Sequence, residues 1–138
     1  MRAQSASVQL MTLSNNASQS FVDALGNADH RVMMSQIMPS PSVLSNVLGR
    51  EFKAMAGANG VSSSYAAMEG FVGAKVLVEG LRRSGRNLIR EGLIKAMESM
   101  HKVDPGGLMV NYSDRDHSGS EFVELTMISK NGKFCIED

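Results

Sequence analysis

Ser64 to Gly85 carries no proline and reads as one helix of about six turns at 3.6 residues per turn. Ala67, Phe71, Ala74, Val78 and Leu81 fall at spacings of three and four, which predicts one apolar stripe for burial. Gly70, Gly73, Leu77 and Gly80 lie beside that stripe. A glycine inside a helix costs about 1 kcal/mol relative to alanine. A helix that accepts that cost commonly gains close approach to a neighbour, so the glycine face is expected to be packed. Lys75, Glu79, Arg82 and Arg83 fall largely off the stripe and are expected in solvent. This is the core helix of an α/β domain, and its periodicity carries no function.

The chain has 138 residues, enough to bury a core without metals or disulfides. Lys plus Arg equals Asp plus Glu at 14 each, so no basic field recruits nucleic acid or anionic lipid. Aromatic content is 5% and Trp is absent, which argues against base-stacking platforms. Cys135 is the single cysteine, so neither an intrachain disulfide nor a cysteine-based zinc site can be assembled. No stretch is long and apolar enough for a transmembrane helix, and Met1 to Asn16 has too short an apolar run for a signal peptide.

Val8 to Leu13 is a run of strand length, broken by Ser14-Asn15-Asn16-Ala17-Ser18. Gln19 to Leu25 reads as a short helix stopped by Gly26. Arg31 to Met38 alternates poorly, as a strand buried on both faces of a parallel sheet would. Pro39 and Pro41 mark a crossover. Val43 to Ala56 is predicted helical, with Leu44, Val47, Leu48, Phe52 and Met55 inward. After the long helix, Asn87 is a candidate cap for a helix over Leu88 to Met100, facing inward through Ile89, Leu93, Ala96, Met97 and Met100. Asp104-Pro105-Gly106-Gly107 is a strong break. Leu108, Val110 and Tyr112 then alternate, Glu121 to Ile128 alternates, and Asn131-Gly132 signals a hairpin turn. The predicted order is β-α-β, three helices, and an antiparallel β finish.

Catalytic motifs are lacking. Asp114-Arg115-Asp116-His117 reads as a polar loop, with metal or hydrolytic chemistry as the alternative, but it matches no metal-loop spacing. No Gly-x-Ser-x-Gly elbow, P-loop or Gly-x-Gly-x-x-Gly occurs. Arg82, Arg83, Arg86 and Arg90 form either a solvated turn or a docking surface. One place is favoured for a ligand, because open α/β sheets bind beyond the carboxyl ends of their strands. Ser14, Asn15 and Asn16 stand there, and they read either as an ordinary capping turn or as ligand contacts on a helix N-terminus. No cofactor, metal site or catalytic residue is expected.

Several blocks in order resemble the C-terminal portion of type I periplasmic substrate-binding proteins of the branched-chain amino acid ABC-transporter class. They are Thr12 to Asn15, Val32 to Pro41, Glu69 to Arg83, Arg90 to Ala96, Gly106 to Ser113, His117 to Ser120 and Asn131 to Phe134. The resemblance implies an α/β, partial periplasmic-binding-protein-like fold and a cleft that closes on a small polar organic ligand. It assigns residues 1–41 to the second lobe with a hinge crossover, 42–103 to a helical part of the first lobe, and 104–138 to returning strands of the second. It aligns Ser14, Asn15 and Asn16 with a cleft-lining loop. Some amino acid binders place an acidic residue there for the ligand ammonium, where this chain has Ser14.

Family members are far longer, so the chain is expected to be a C-terminal fragment. Apolar helix faces normally covered by the remainder would pair with a second copy, giving a homodimer. The implied role is the solute-binding component of an importer, periplasmic by family, with a membrane permease as partner. A ligand-sensing or dimerising regulatory domain on the same fold is the alternative.

Overall fold

The computed structural model describes residues 9–25, 32–86, 88–129 and 134–136. Its contacts divide the chain into two units, Met1–Ile37 with Val123–Asp138, and Met38–Phe122.

Unit one is built on β1 (Leu10–Leu13), a 3-10 turn (Ser14–Asn16), α1 (Gln19–Leu25), β2 (Val32–Gln36), β3 (Glu124–Ile128) and β4 (Phe134–Ile136). The sheet order is β1-β2-β3-β4. β1 and β2 are parallel, with Leu10 opposite Val32, and they are joined through α1 as a parallel pair requires. β3 runs antiparallel to β2, with Gln36 opposite Glu124, and β4 antiparallel to β3. β2 is therefore not a strand sealed on both faces of a parallel sheet. It alternates, with Val32, Met34 and Gln36 buried and Met33 and Ser35 half-buried. The cause is the single core of this unit, in which Val32, Met34 and Ile128 meet Ala17, Phe21, Val22 and Leu25 on one face. The Asn131-Gly132 turn, Val8 and Gly26 lie outside the described residues.

Unit two contains α2 (Val47–Ala58), α3 (Tyr65–Ser84) and α4 (Arg90–Glu98). α2 begins four residues later than its apolar pattern suggests, because Asn46 Oδ1 accepts from Gly49 N at 2.8 Å and fixes the start. Leu48, Phe52 and Ala56 face the core, whereas Leu44, Val47 and Met55 are exposed. α3 keeps its predicted span. Ser64 Oγ accepts from Ala67 N at 3.2 Å, and Gly85 ends the helix at φ 58, where a side chain would be strained.

The buried face of α3 is not the predicted one. Tyr65, Met68, Val72, Val76 and Gly80 are buried, whereas Ala74, Val78 and Leu81 are exposed. The packing of Phe52 against Phe71, ring centroids 5.7 Å apart, leaves Phe71 at the margin of the core. Of Gly70, Gly73 and Gly80, only Gly80 is packed, and a Cβ there would lie 2.5 Å from Met97 Sδ. Gly70 and Gly73 have nothing within 4 Å of that position. Lys75 is also less solvated than expected. It pairs with Glu51 and stands 5.6 Å over the Phe71 ring.

α4 buries Ala96, with Leu93 and Met97 half-covered, and Met100 is fully buried just beyond it. Ile89 is exposed, and Asn87 lies outside the described residues. Leu48, Met68 and Met100 are wholly inside, each contributing about 1.5–3 kcal/mol of apolar burial.

By contact, residues 104–122 group with unit two and Val123–Asp138 with unit one. The reason is local. Gly106 O accepts from Leu48 N at 2.8 Å, which ties the turn to the start of α2. Leu108 and Val110 then enter the helical core instead of forming a strand, with a single bridge between Val103 and Val110.

Candidate functional site

The predicted ligand loop occupies the carboxyl end of β1. Ser14 is half-buried, and Asn15 and Asn16 are exposed. The loop lies against β2. Asn16 Nδ2 donates to Thr12 Oγ1 at 2.7 Å, and Ala17 N donates to Ser14 O at 2.9 Å, so the turn is held from within. The N-terminus of α1 is partly closed. Ser18 caps α1, accepting from Phe21 N at 3.2 Å, and α1 has only seven residues. What the loop offers is side-chain amides and a hydroxyl.

The strand register adds residues that spacing alone does not reveal. Thr12 is opposite Met34, Met34 opposite Thr126, and Gln36 opposite Glu124. Directly paired residues project to the same face. Thr12, Gln36, Thr126 and Glu124 thus form a polar rim on one face, at the end of the sheet where β1 and β2 finish. Gln36 is fully buried and donates through Nε2 to Thr126 Oγ1 at 3.2 Å. The Thr126 hydroxyl in turn donates to Met34 O at 3.4 Å. Gln36 Oε1 and Glu124 Oε2 are buried without a hydrogen-bond partner among the described residues. Burial pushes the Glu124 carboxyl above its usual range.

Two surface grooves of unit two are bordered by charged side chains. One, of about 400 Å³, is bordered by Lys102, Asn111, Asp116 and Ser118. Two of its acceptors hold backbone amides. Asn111 Oδ1 accepts from Lys102 N at 3.2 Å, and Asp116 Oδ1 from Ser118 N at 2.8 Å. The other, of about 350 Å³, is bordered by Lys75, Glu79, Arg82 and Asp104. Glu79 Oε1 pairs with Arg83 Nε at 2.8 Å. Asp104 Oδ1 accepts from Gly106 N at 2.8 Å and from the amides of Gly107 and Leu108. The Gly107 and then the Gly106 amide hold the Asp104 carboxyl below its usual range.

The Asp114–His117 segment is a polar turn. Ser113 Oγ accepts from Asp116 N at 3.0 Å, and His117 Nε2 meets Glu98 Oε1 at 3.1 Å. Among the described residues no three His, Cys, Asp or Glu side chains converge as a metal site, and no helix is long and apolar enough to cross a membrane.

No protein-family model and no curated protein matches this chain. Solved structures do. A substrate-binding periplasmic protein from Ralstonia solanacearum matches with TM-score 0.83 and 35% identity, over 99% of this chain and 40% of its own. An extracellular ligand-binding receptor from Verminephrobacter eiseniae matches with TM-score 0.77 and 24% identity, over 97% and 39%. A leucine-binding protein from Thermotoga maritima matches with TM-score 0.78 and 14% identity, over 96% and 37%. The fold is that of a part of a type I periplasmic binding protein. The chain spans about 40% of the length of these relatives, which are binding proteins rather than enzymes.

Proposed function

We propose that this chain is the C-terminal part of the solute-binding component of an ABC-type importer for amino acids or similar small polar organic ligands. The observation that carries the reading is the 35% identity with a substrate-binding periplasmic protein across 99% of the chain. The polar rim at the strand ends supports it, because ligands of open α/β sheets bind at that edge. Ser14, Asn15 and Asn16 supply hydrogen bonds to the ligand, and the parent protein works in the periplasm by closing its lobes and docking on a membrane permease. No bond chemistry is involved.

The test is calorimetry and thermal shift against amino acids, amides and aromatic acids. A true ligand at a hundred times its Kd stabilises by about 2.7 kcal/mol. Asn16→Ala weakens binding about five- to tenfold, the scale of one hydrogen bond. No shift with any of the three classes would overturn binding by this chain.

A second reading is a dimerising regulatory or interaction domain. Leu77, Val78 and Leu81 of α3 are 48%, 46% and 41% exposed, beside the open Gly70 and Gly73, and together they favour a covered face. Sedimentation at high concentration decides it: a dimer supports pairing of two copies, and a compact monomer excludes it.

A further inference from the structure

The turn between α3 and α4 carries a charge pattern that the balance of the whole chain hides. α3 stops at Ser84 and α4 starts at Arg90. From Arg82 to Arg90 the sequence holds four of the 14 basic residues, Arg82, Arg83, Arg86 and Arg90, and no acid. The neutral chain therefore has a local positive field at this corner. Arg83 is already engaged, with Nε on Glu79 Oε1 at 2.8 Å and Nη1 donating to Ser99 O at 3.0 Å. Arg82, Arg86 and Arg90 are exposed, and their guanidinium groups form no ion pair among the described residues. Glu91, the acid next to them in sequence, is exposed as well.

Between Arg86 and Arg90 stand Leu88 and Ile89, 66% and 56% exposed. Local structure accounts for neither. Ile89 occupies the N-cap of α4, a position that favours Ser, Thr, Asp or Asn, and it makes no side-chain cap. Leu88 precedes the cap, where an apolar residue commonly packs back on the first turns of its helix, yet most of it stays in solvent. Two adjacent aliphatic side chains held out at a turn, with an arginine on either side, match what a bilayer interface accepts. Apolar groups enter the boundary between headgroups and acyl chains, and cations stay at the headgroups.

The chemistry of the corner selects its occupant. Guanidinium groups match phosphodiesters in charge and in paired donors. Residues 81–97 contain no aromatic side chain, so the corner has neither the stacking platform of a nucleic-acid site nor the aromatic anchors of a protein interface. We propose that the α3–α4 corner docks on an anionic lipid surface, with Leu88 and Ile89 entering the acyl boundary and Arg86 and Arg90 on the headgroup phosphates. Arg82 adds to the attraction from one turn back. The corner rests on the membrane without spanning it, and the contact does not depend on the solute-binding reading.

The experiment is co-sedimentation of the whole chain with vesicles of phosphatidylcholine alone and of phosphatidylcholine mixed with phosphatidylglycerol. Binding is expected on the mixed vesicles only, and it is expected to fall as salt is raised. Arg86→Glu is expected to weaken it about fivefold or more, the scale of one cation near an anionic surface. Lys53→Glu, the same charge change at an exposed site of α2, is expected to leave it nearly unchanged. Leu88→Ser is expected to weaken binding about tenfold, the scale of one partly buried leucine. The chain has no tryptophan, so the emission of Leu88→Trp reports the corner alone, and a blue shift is expected on mixed vesicles. Equal binding to both kinds of vesicle overturns the proposal. Equal losses in Arg86→Glu and Lys53→Glu reduce the effect to net charge and overturn the corner as its seat. An unshifted Leu88→Trp emission overturns the insertion, whatever the charge variants do. Retention on immobilised polyglutamate with no binding to mixed vesicles overturns the lipid in favour of an acidic protein partner.

Discussion

Unit one places polar groups inside, whereas unit two keeps them in turns. In unit one, Gln36 and Thr126 are fully buried beside the core methionine Met34. In unit two, the buried set is apolar, and the carboxylates Asp104 and Asp116 hold amides of exposed turns. The two environments shift carboxyls in opposite directions. Amide donors lower Asp104, and burial raises Glu124. The helical unit uses polar side chains to hold its own turns, while the sheet unit buries two acceptors, Gln36 Oε1 and Glu124 Oε2, without a partner among the described residues.

The sharpest attempt to break this comparison truncates one core at a time. Met68→Ala is expected to destabilise by about 2–5 kcal/mol, as buried methionine truncations do. Hydrogen exchange should place the loss within Met38–Phe122, and Met34→Ala should place it in the sheet unit. Equal loss of protection in both units after either change would remove the distinction between two cores.

The next effect is on pH. Asp104 is lowered, so its contribution is present above its unfolded value of 3.8 and is lost as pH falls through the folded value. Asp104→Asn is expected to cost about 1 kcal/mol near neutrality and to flatten that acid loss in a series of thermal melts. Glu124 is raised, so its contribution is present below 4.5 and is lost as pH rises through the folded value. Acid should therefore weaken the Asp104 turn and strengthen the β2–β3 pairing.

The smallest effect concerns glycine. Gly73→Ala is expected to stabilise by about 0.5–1 kcal/mol, because the position is helical, exposed and open. Gly80→Ala should gain less or lose, since its Cβ would press on Met97. Chemical denaturation of the two variants checks the pair.

The order of elements and the limits of α3 were legible because caps are local. Ser64 and Gly85 act within four residues of themselves. The buried arc of α3 was not legible, because the helix is apolar or small nearly all round. Met68, Val72 and Val76 make as good a stripe as Phe71, Val78 and Leu81, and only the positions of α2 and α4 choose between them. Residues 108–112 alternate like a strand, but the amide of Leu48 captured the turn before them. At the candidate site, the Ser14–Asn16 turn could be read from its composition. Gln36 and Glu124 could not, since only the pairing of β2 with β3, strands far apart in sequence, sets them opposite each other. The only hint was a glutamine and a glutamate at in-phase positions of two apolar runs.

The sheet unit is interrupted by the whole of Met38–Phe122. A ribosome delivers β1, α1 and β2 first, and β2 then waits with one edge unpaired while the helical unit is made. The helical unit is continuous in sequence, so it can fold on emergence. β3 and β4 follow the helical unit, and β3 must find β2 across that long excursion, which makes this pairing a late step in folding. Until then the β2 edge is open to strands of other chains, and the time spent in that state sets how readily this protein aggregates during synthesis.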